Sequence, residues 1–309
     1  MKRDEMTGVE VSGNKIRKLE FCIAEAQRQG CDTLITCGGL QSNHCRATAI
    51  MGARLGMKVQ LILRGKEPEV PSGNLLMDHL AGAQISYLPA EGWASAHRQY
   101  ATQLQAEAEV AGAKAYFIPT GASDEVGLWG YIAASEELGA DLAAAALRPD
   151  AIVSATGSGG TQAGLIVGNE LFDLAEKVVC FNVSDDARYF EERAREDISR
   201  WQTRYADLLA GTPAAELDVA TIRVNTEEGY LGPGYGFAGP EVFETIKLLA
   251  STEGLFLDPV YTGKAFHGML SEVLKGEEGC FAGATNIVFV HTGGLFGVFP
   301  QQENFQFSD

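Results

Sequence analysis

The chain has 309 residues, of which 46 % are hydrophobic and 21 % are charged, as is usual for a globular protein. Its net charge of −17 argues against nucleic acid or an anionic membrane as a partner, because both require a basic surface. We therefore expect an acidic cytoplasmic protein that can bury a core large enough for two lobes.

The six cysteines form no Cys-x-x-Cys pair, and no histidine spacing is typical of zinc, so we expect reduced thiols and no metal site. No apolar run approaches the roughly 18 residues of a membrane-spanning helix. The first five residues lead into no apolar segment, so the sequence predicts neither a membrane span nor a signal peptide.

Short apolar runs alternate with helical patterns along the chain, which predicts crossover connections and a parallel sheet. Strands are predicted at 32–37, 58–63, 84–88, 115–118, 151–155, 178–183 and 285–290. Helices are predicted at 16–21, 47–55, 94–111, 125–146, 187–209 and 240–252. The stretch 188–204 carries both signs of charge, which is typical of a solvated helix face.

The first motif in chain order is Gly13-Asn14-Lys15, which precedes the amphipathic helix at 16–21. It places a lysine directly after a Gly-Asn turn, at the N-terminus of a helix. Such a lysine is usually a surface charge, and the alternative is a nucleophilic amine.

The second motif runs from Gly38 to His44 and links the strand at 32–37 to a helix. Its free backbone N–H groups and the positive end of the helix dipole favour an anion such as a carboxylate. The alternative is an ordinary strand-to-helix connection with Ser42 or Asn43 as N-cap. Further along, Asn74 is predicted only as a helix cap.

The third motif is the loop Gly157-Ser158-Gly159-Gly160-Thr161, whose N–H groups and two hydroxyls can cradle one phosphate. It is not a Walker loop, and Gln162 stands where a dinucleotide fingerprint needs its third glycine. Asp185, the nearest acidic residue at a strand end, lies late for a ribose contact. A nucleotide-binding protein is therefore the alternative from a different class.

These three motifs together suggest pyridoxal phosphate. Lys15 would carry the aldehyde of the cofactor as a Schiff base. The glycine loop would hold the phosphate, and the Ser-Asn-His turn would bind the substrate.

The chain resembles the pyridoxal-phosphate enzymes of the D-cysteine desulfhydrase and 1-aminocyclopropane-1-carboxylate deaminase family, which have the tryptophan synthase β-like fold. The matching segments follow the family's order along nearly the whole chain. They are 2–4 with 7–8, 12–21, 38–46, 155–161, 234–236, 258–264 and 291–294. The residues taken alone indicate less: a parallel α/β protein with a phosphate loop and a candidate nucleophilic lysine.

The resemblance implies an α/β protein of PLP fold type II with two lobes, each an open, mostly parallel twisted sheet flanked by helices. The large cofactor-binding lobe would comprise 1–17 and 131–309, and the small substrate-side lobe 18–130. It also implies a homodimer. Family members carry a further strand and helix of the large lobe before the segment at 2–4, so we expect those elements to be missing here. A non-catalytic relative is an alternative for that reason.

The resemblance also implies roles for individual residues. Lys15 matches the Schiff-base lysine, and its freed amine would act as general base at Cα. Asn43 would hydrogen-bond the phenolic oxygen of the cofactor, Ser42 would lie near the substrate carboxylate and Cα, and Tyr235 and Tyr261 match the active-site tyrosines. The residues assigned to the phosphate are Gly157, Ser158, Gly159, Gly160 and Thr161. The residues assigned to the substrate are Gln41, Ser42, Asn43, His44 and Thr292.

Two threonines distinguish the branches of the family. The deaminases have glutamate after the tyrosine of the segment 258–264 and leucine after the histidine of 291–294, whereas this chain has Thr262 and Thr292. Thr262 would face the pyridine nitrogen with a hydroxyl and leave a milder electron sink. The pair resembles the desulfhydrase branch.

The expected function is therefore a pyridoxal-phosphate-dependent carbon–sulfur lyase that acts on D-cysteine or a close β-substituted amino acid. Its products would be pyruvate, ammonia and hydrogen sulfide. The alternatives within the class are a cysteate sulfo-lyase and then a 1-aminocyclopropane-1-carboxylate deaminase.

Overall fold

Two parallel β-sheets of four strands each organise residues 1–307, the part of the chain that this computed structural model describes. The first sheet contains β1 (Thr33–Gly39), β2 (Lys58–Arg64), β3 (Gln84–Leu88) and β4 (Ala115–Ile118), in the order β3-β2-β1-β4. The second contains β5 (Ala151–Thr156), β6 (Lys177–Asn182), β7 (Asn225–Glu227) and β8 (Ile287–Phe289), in the order β7-β6-β5-β8. The strand pairings within both sheets are parallel, as the alternation of patterns predicts.

Helices flank both sheets and connect the strands. In the first half of the chain they are α1 (Asn14–Arg28), α2 (Asn43–Arg54), α3 (Gly73–Leu80), α4 (Trp93–Val110) and α5 (Trp129–Ala144). In the second half they are α6 (Gly160–Phe172), α7 (Ala187–Arg204), α8 (Ala206–Leu209), α9 (Pro240–Glu253) and α10 (Thr262–Leu274). None of the helices within residues 1–307 has the length and apolar character to cross a membrane.

The central strands β1 and β5 are buried on both faces, which explains why their sequences are near-continuous apolar runs. Helix α6 follows β5 and packs closely against α5. A Cβ atom at Gly164 would lie 2.5 Å from Tyr131 Cβ, and one at Gly168 would lie 2.1 Å from Ser135 Cβ. The glycines of α6 therefore permit the close helix contact that holds the loop before α6 in place.

Several predicted elements differ from the structure. The helix predicted at 125–146 begins at Trp129, because the Asp124 carboxylate accepts hydrogen bonds from Val126 and Gly127 in a preceding turn. The helix predicted at 187–209 breaks at Tyr205 into α7 and α8. Two elements have no counterpart among the predictions: β7, which is short and polar, and α10.

The strands of the first sheet lie within residues 33–118 and those of the second within 151–289. The N-terminal segment joins the second sheet, because Lys2 pairs with Val290. The lobe boundaries at 18 and 131 fall inside α1 and α5, which pack against each other, and they stay a prediction. All six cysteines are free thiols.

Candidate active site

A cavity of about 710 Å³ lies where the carboxyl ends of strands from both sheets meet. Its wall includes residues at or just beyond the ends of β1, β2, β5 and β8. In parallel α/β sheets this edge is the usual place for a ligand, at the point where the order of the strands reverses. In the first sheet the order reverses at β1, which lies between β2 and β4. In the second sheet it reverses at β5, which lies between β6 and β8.

Lys15 lines this cavity at the start of α1. The preceding residue anchors the turn twice: the Asn14 N–H donates to the Thr292 carbonyl at 3.1 Å, and Asn14 Nδ2 donates to Thr161 Oγ1 at 2.9 Å. Gly13 adopts φ +111°, and a Cβ there would lie 2.6 Å from the Thr292 oxygen. The Gly-Asn turn thus fixes Lys15 against both the C-terminal segment and the phosphate loop.

Lys18 and Lys264 are fully buried near the half-buried Lys15, and their contacts distinguish the three lysines. Lys264 donates from Nζ to two backbone carbonyls, at 2.7 and 2.8 Å, and does not line the cavity. Lys18 is fully buried and donates to Ser123 Oγ at 3.4 Å. Lys15 has no hydrogen-bond partner among residues 1–307 and is the lysine whose amine is available in the cavity.

The pKa of the Lys15 amine is lowered toward neutral pH. Burial lowers the pKa of Lys15 from 10.5 to about 8, and the Asp258 carboxylate opposes part of that shift. Burial also lowers the pKa of Lys264 to about 8. The pKa therefore does not separate the two lysines, and the geometry does.

We expect the apoprotein to take up pyridoxal phosphate with a rate that rises with pH and levels off above about pH 8. Only the unprotonated Lys15 amine attacks an aldehyde, and its pKa in the folded protein is lowered to about 8. Stopped-flow absorbance after mixing checks this. N-acetyl-lysine amide, whose amine is solvated, serves as control, and a rate that rises only toward the ordinary lysine pKa would contradict the prediction.

The Ser-Asn-His turn, which joins β1 to α2, also lines the cavity. Ser42 Oγ accepts a hydrogen bond from the Cys45 N–H at 3.1 Å and so caps α2. A Cβ at Gly38 would lie 2.6 Å from Ser42 Oγ, so only glycine leaves room for this hydroxyl. Because Ser42 accepts in the cap, its hydrogen remains to donate to a ligand in the cavity.

His44 lines the cavity as a neutral imidazole. The Thr36 hydroxyl donates to the Ile118 carbonyl at 2.7 Å, so it accepts from His44 Nε2 at 2.8 Å. His44 Nδ1 is therefore unprotonated, and it has no partner among the described residues. Burial, reinforced by the nearby charge of Lys15, holds the pKa of His44 well below its usual value.

Gln41, predicted to bind substrate, does not line the cavity. Its side chain donates to the Ser72 carbonyl at 3.0 Å and accepts from the Asn74 N–H at 2.9 Å. Gln41 therefore links the turn to the start of α3.

The loop between β5 and α6 has the shape of a phosphate cradle. Gly159 has φ +85°, and the N–H groups of Ser158, Gly159 and Thr161 have no backbone partner in the described part of the chain. The Gly160 N–H donates to Ser123 Oγ at 3.1 Å, and Gly160 does not line the cavity. Thr161 Oγ1 accepts from Asn14, so its hydrogen is free to donate. The helix dipole of α6 adds to these donors.

Two tyrosines close another side of the cavity. The hydroxyls of Tyr235 and Tyr261 lie 2.5 Å apart, and burial raises the pKa of both phenols, so both stay protonated at neutral pH. The guanidinium carbon of Arg64 lies 5.6 Å from the centroid of the Tyr235 ring. These phenols can donate protons to a group bound between them and Lys15.

Thr262 is fully buried at the start of α10 and does not line the cavity. Its hydroxyl donates to Asp258 Oδ1 at 2.7 Å and accepts from the Asp258 N–H at 2.9 Å. The Asp258 carboxylate also accepts the N–H groups of Val260, Tyr261 and Thr262. The prediction that Thr262 faces a pyridine nitrogen stays a prediction.

The donors present fit pyridoxal phosphate. The loop before α6 offers N–H groups for one dianion, and Lys15 offers an unpartnered amine in the same cavity. Residues 1–293 match the family described as pyridoxal-phosphate dependent enzyme. The chain belongs to this family.

Within this family, the chain is similar to lyases of the desulfhydrase and deaminase type. A mitochondrial bifunctional D-cysteine desulfhydrase/1-aminocyclopropane-1-carboxylate deaminase from Arabidopsis thaliana is 41 % identical and covers 97 % of this chain and 73 % of that protein. A D-cysteine desulfhydrase from Salmonella choleraesuis is 37 % identical, covering 97 % and 87 %. The crystal structure of an ACC deaminase homologue superposes with a TM-score of 0.84 at 33 % identity, covering 98 % of this chain and 86 % of that one.

Two residues beside the phosphate loop of this pyridoxal-phosphate-dependent enzyme, Ser123 and Arg193, are not among the predicted site residues. Ser123 Oγ lies 2.8 Å from Ser158 Oγ and stabilises the loop by this hydrogen bond. Arg193 lines the cavity, donates to the Ser123 carbonyl at 2.7 Å and pairs with Asp197 at 3.0 Å. Ser123 follows β4 closely, and a polar residue just after a parallel strand can be predicted to lie near the ligand. Arg193 is hidden within the mixed-charge helix face at 188–204.

Proposed function

We propose that the protein is a carbon–sulfur lyase that converts D-cysteine, or a close β-substituted amino acid, to pyruvate, ammonia and hydrogen sulfide. The observation that carries the proposal is the unpartnered amine of Lys15 in a cavity shared with a phosphate cradle and the Ser-Asn-His turn. For the choice of substrate, Thr262 and Thr292 support the desulfhydrase, because the deaminases of the family have glutamate and leucine there.

The cavity assigns a task to each group around a bound amino acid. Pyridoxal phosphate, when bound, supplies the electron sink that makes the α-proton removable. The Lys15 amine removes that proton. The N-terminus of α2 and the Ser42 hydroxyl bind the substrate carboxylate, since both offer donors to an anion.

The sulfur leaves on the side of the tyrosine pair. The Cβ–S bond breaks with its electron pair on sulfur, which takes a proton from the phenol of Tyr235 or Tyr261. Water then adds to the remaining unsaturated amino acid, which releases ammonia and leaves pyruvate. No oxidant or reductant is needed.

Arg64 favours a second candidate, the cysteate sulfo-lyase. Its guanidinium has no ion-pair partner among residues 1–307 and lines the cavity beside Tyr235. An unpaired guanidinium there can bind an anionic β-substituent such as a sulfonate. The protein would then expel sulfite by the same steps.

A substrate screen tests the proposal. Purified protein is assayed for keto-acid release from D-cysteine, L-cysteine, β-chloro-D-alanine, cysteate and 1-aminocyclopropane-1-carboxylate. We expect pyruvate from D-cysteine with the highest kcat/KM. Release of 2-oxobutyrate from the cyclopropane with D-cysteine untouched would replace the desulfhydrase by the deaminase.

An Arg64→Gln variant tests whether Arg64 binds an anionic β-substituent. We expect kcat/KM for cysteate to fall about 10–100-fold, because a charge-assisted hydrogen bond to the sulfonate is lost. Turnover of β-chloro-D-alanine, whose leaving group carries no charge in the substrate, should change little. Lys66→Gln, which removes a positive charge from an exposed position nearby, is the control. Equal losses for both substrates would contradict an anion-binding role.

We also propose, from the family resemblance, a homodimer in the cytoplasm with a small amino acid as substrate. Light scattering on the purified holoprotein measures the oligomeric state, and a monomeric mass would refute the dimer.

A further inference from the structure

Asn74, at the start of α3, is fully buried and lies behind the cavity wall. Its side-chain oxygen accepts from Arg46 Nε at 2.6 Å. Its side-chain nitrogen donates to the Gln41 carbonyl at 3.0 Å and to Asn43 Oδ1 at 3.1 Å. Every polar atom of the Asn74 side chain is thus used by the Ser-Asn-His turn or by Arg46.

These partners fix the orientation of both amides. A guanidinium only donates, so the Asn74 atom that faces Arg46 is oxygen. A backbone carbonyl only accepts, so the atom that faces Gln41 O is nitrogen. The Asn43 atom that contacts the same nitrogen must therefore be its oxygen.

With its oxygen held by Asn74, Asn43 has its amide nitrogen, Nδ2, left for other contacts. Asn43 lines the cavity, and its Nδ2 has no partner among the described residues. With Oδ1 held by Asn74, Asn43 presents N–H donors to a ligand and not an acceptor. Without the contact to Asn74, Asn43 could turn either its amide oxygen or its amide nitrogen toward the cavity.

Arg46 anchors Asn74 in this arrangement. It is fully buried in α2 and also donates to the backbone carbonyls of Glu10 and Ser12, the latter at 2.9 Å. Its guanidinium carbon lies 4.7 Å from the centroid of the Phe296 ring. The Asn74 amide accepts from Arg46 and donates to Asn43 at the same time, which a carboxylate at position 74, having no hydrogen, cannot do.

We propose that Asn74 is a positioning residue that holds the Asn43 amide in the one orientation able to donate a hydrogen bond to the phenolic oxygen of the cofactor. This inference rests on the proposed assignment of Asn43 to that oxygen. A donor at this place stabilises the ionised phenolic oxygen and lowers its proton affinity. An acceptor would do the opposite.

The test is the absorbance of the holoprotein, titrated with pH in the absence of substrate. In Asn74→Asp the new carboxylate still accepts from Arg46 but has no hydrogen to donate, so the Asn43 amide reverses. We expect the visible band of the bound cofactor to lose intensity to a near-ultraviolet band. The pH midpoint of this change, which reports the proton affinity of the phenolic oxygen, should rise by about 1–2 pH units. Asn74→Ser, which is neutral and too short to reach Asn43, should shift the midpoint in the same direction.

The Asn43→Ala variant and the double variant decide whether Asn74 acts through Asn43. We expect Asn43→Ala to raise the midpoint, and the Asn43→Ala/Asn74→Asp double variant to titrate with the same midpoint as Asn43→Ala alone. Unchanged midpoints in both Asn74 variants at the parental melting temperature would overturn the inference, and so would additive shifts in the double variant. Turnover of D-cysteine by the parent decides the proposed function separately, because the titration uses no substrate.

Discussion

We expect Lys15→Met to lower turnover of D-cysteine by about 10⁴-fold or more, since the variant loses both the nucleophile and the base at Cα. The phosphate cradle does not involve the Lys15 side chain, so the variant should still bind pyridoxal phosphate, but without a covalent bond. Borohydride reduction followed by peptide mass spectrometry should find the adduct on the Lys15 peptide of the parent and none in the variant.

The matched control is Lys66→Met, which removes an exposed lysine outside the cavity and should keep parental turnover. The competing site is Lys264, whose pKa is also lowered by burial to about 8. An adduct on the peptide that contains Lys264 would overturn the assignment, because it would require Nζ to leave the carbonyls of Leu231 and Gly234.

The sequence allows prediction of those parts of the site that local geometry determines. Gly38 makes room for Ser42 only four residues away, and Gly159 supplies a positive φ directly before α6. Short-range requirements of this kind leave a recognisable motif. The strands of the two sheets are predictable for the same reason, because burial on both faces leaves continuous apolar runs.

The rest of the site depends on contacts between distant segments. Asn74 is predicted only as a helix cap, yet it holds Asn43, and nothing near position 74 in the sequence indicates that contact. Ser123 and Gly160 are 37 residues apart when they form their hydrogen bond. Gln41 is the opposite case, because it belongs to the motif but turns toward α3.

Gly13→Ala is expected to lower both stability and turnover strongly. Gly13 has φ +111° and ψ −177°, a region that is essentially restricted to glycine. The added Cβ would also lie 2.6 Å from the Thr292 carbonyl oxygen, a backbone atom that cannot rotate away. We expect the free energy of unfolding to fall by about 3 kcal/mol. Because the turn carries Lys15, turnover should fall by about 10²-fold even in the folded fraction.

Gly30→Ala is the matched control, because Gly30 lies just beyond the other end of α1 and also has a positive φ, +72°. No atom lies within 4 Å of the Cβ position there, so the substitution adds backbone strain without a clash. We expect a loss of about 1 kcal/mol in the free energy of unfolding and parental kcat/KM. Urea denaturation and D-cysteine kinetics measure the two effects. Parental activity in folded Gly13→Ala would show that the close approach of Gly13 to Thr292 does not position Lys15.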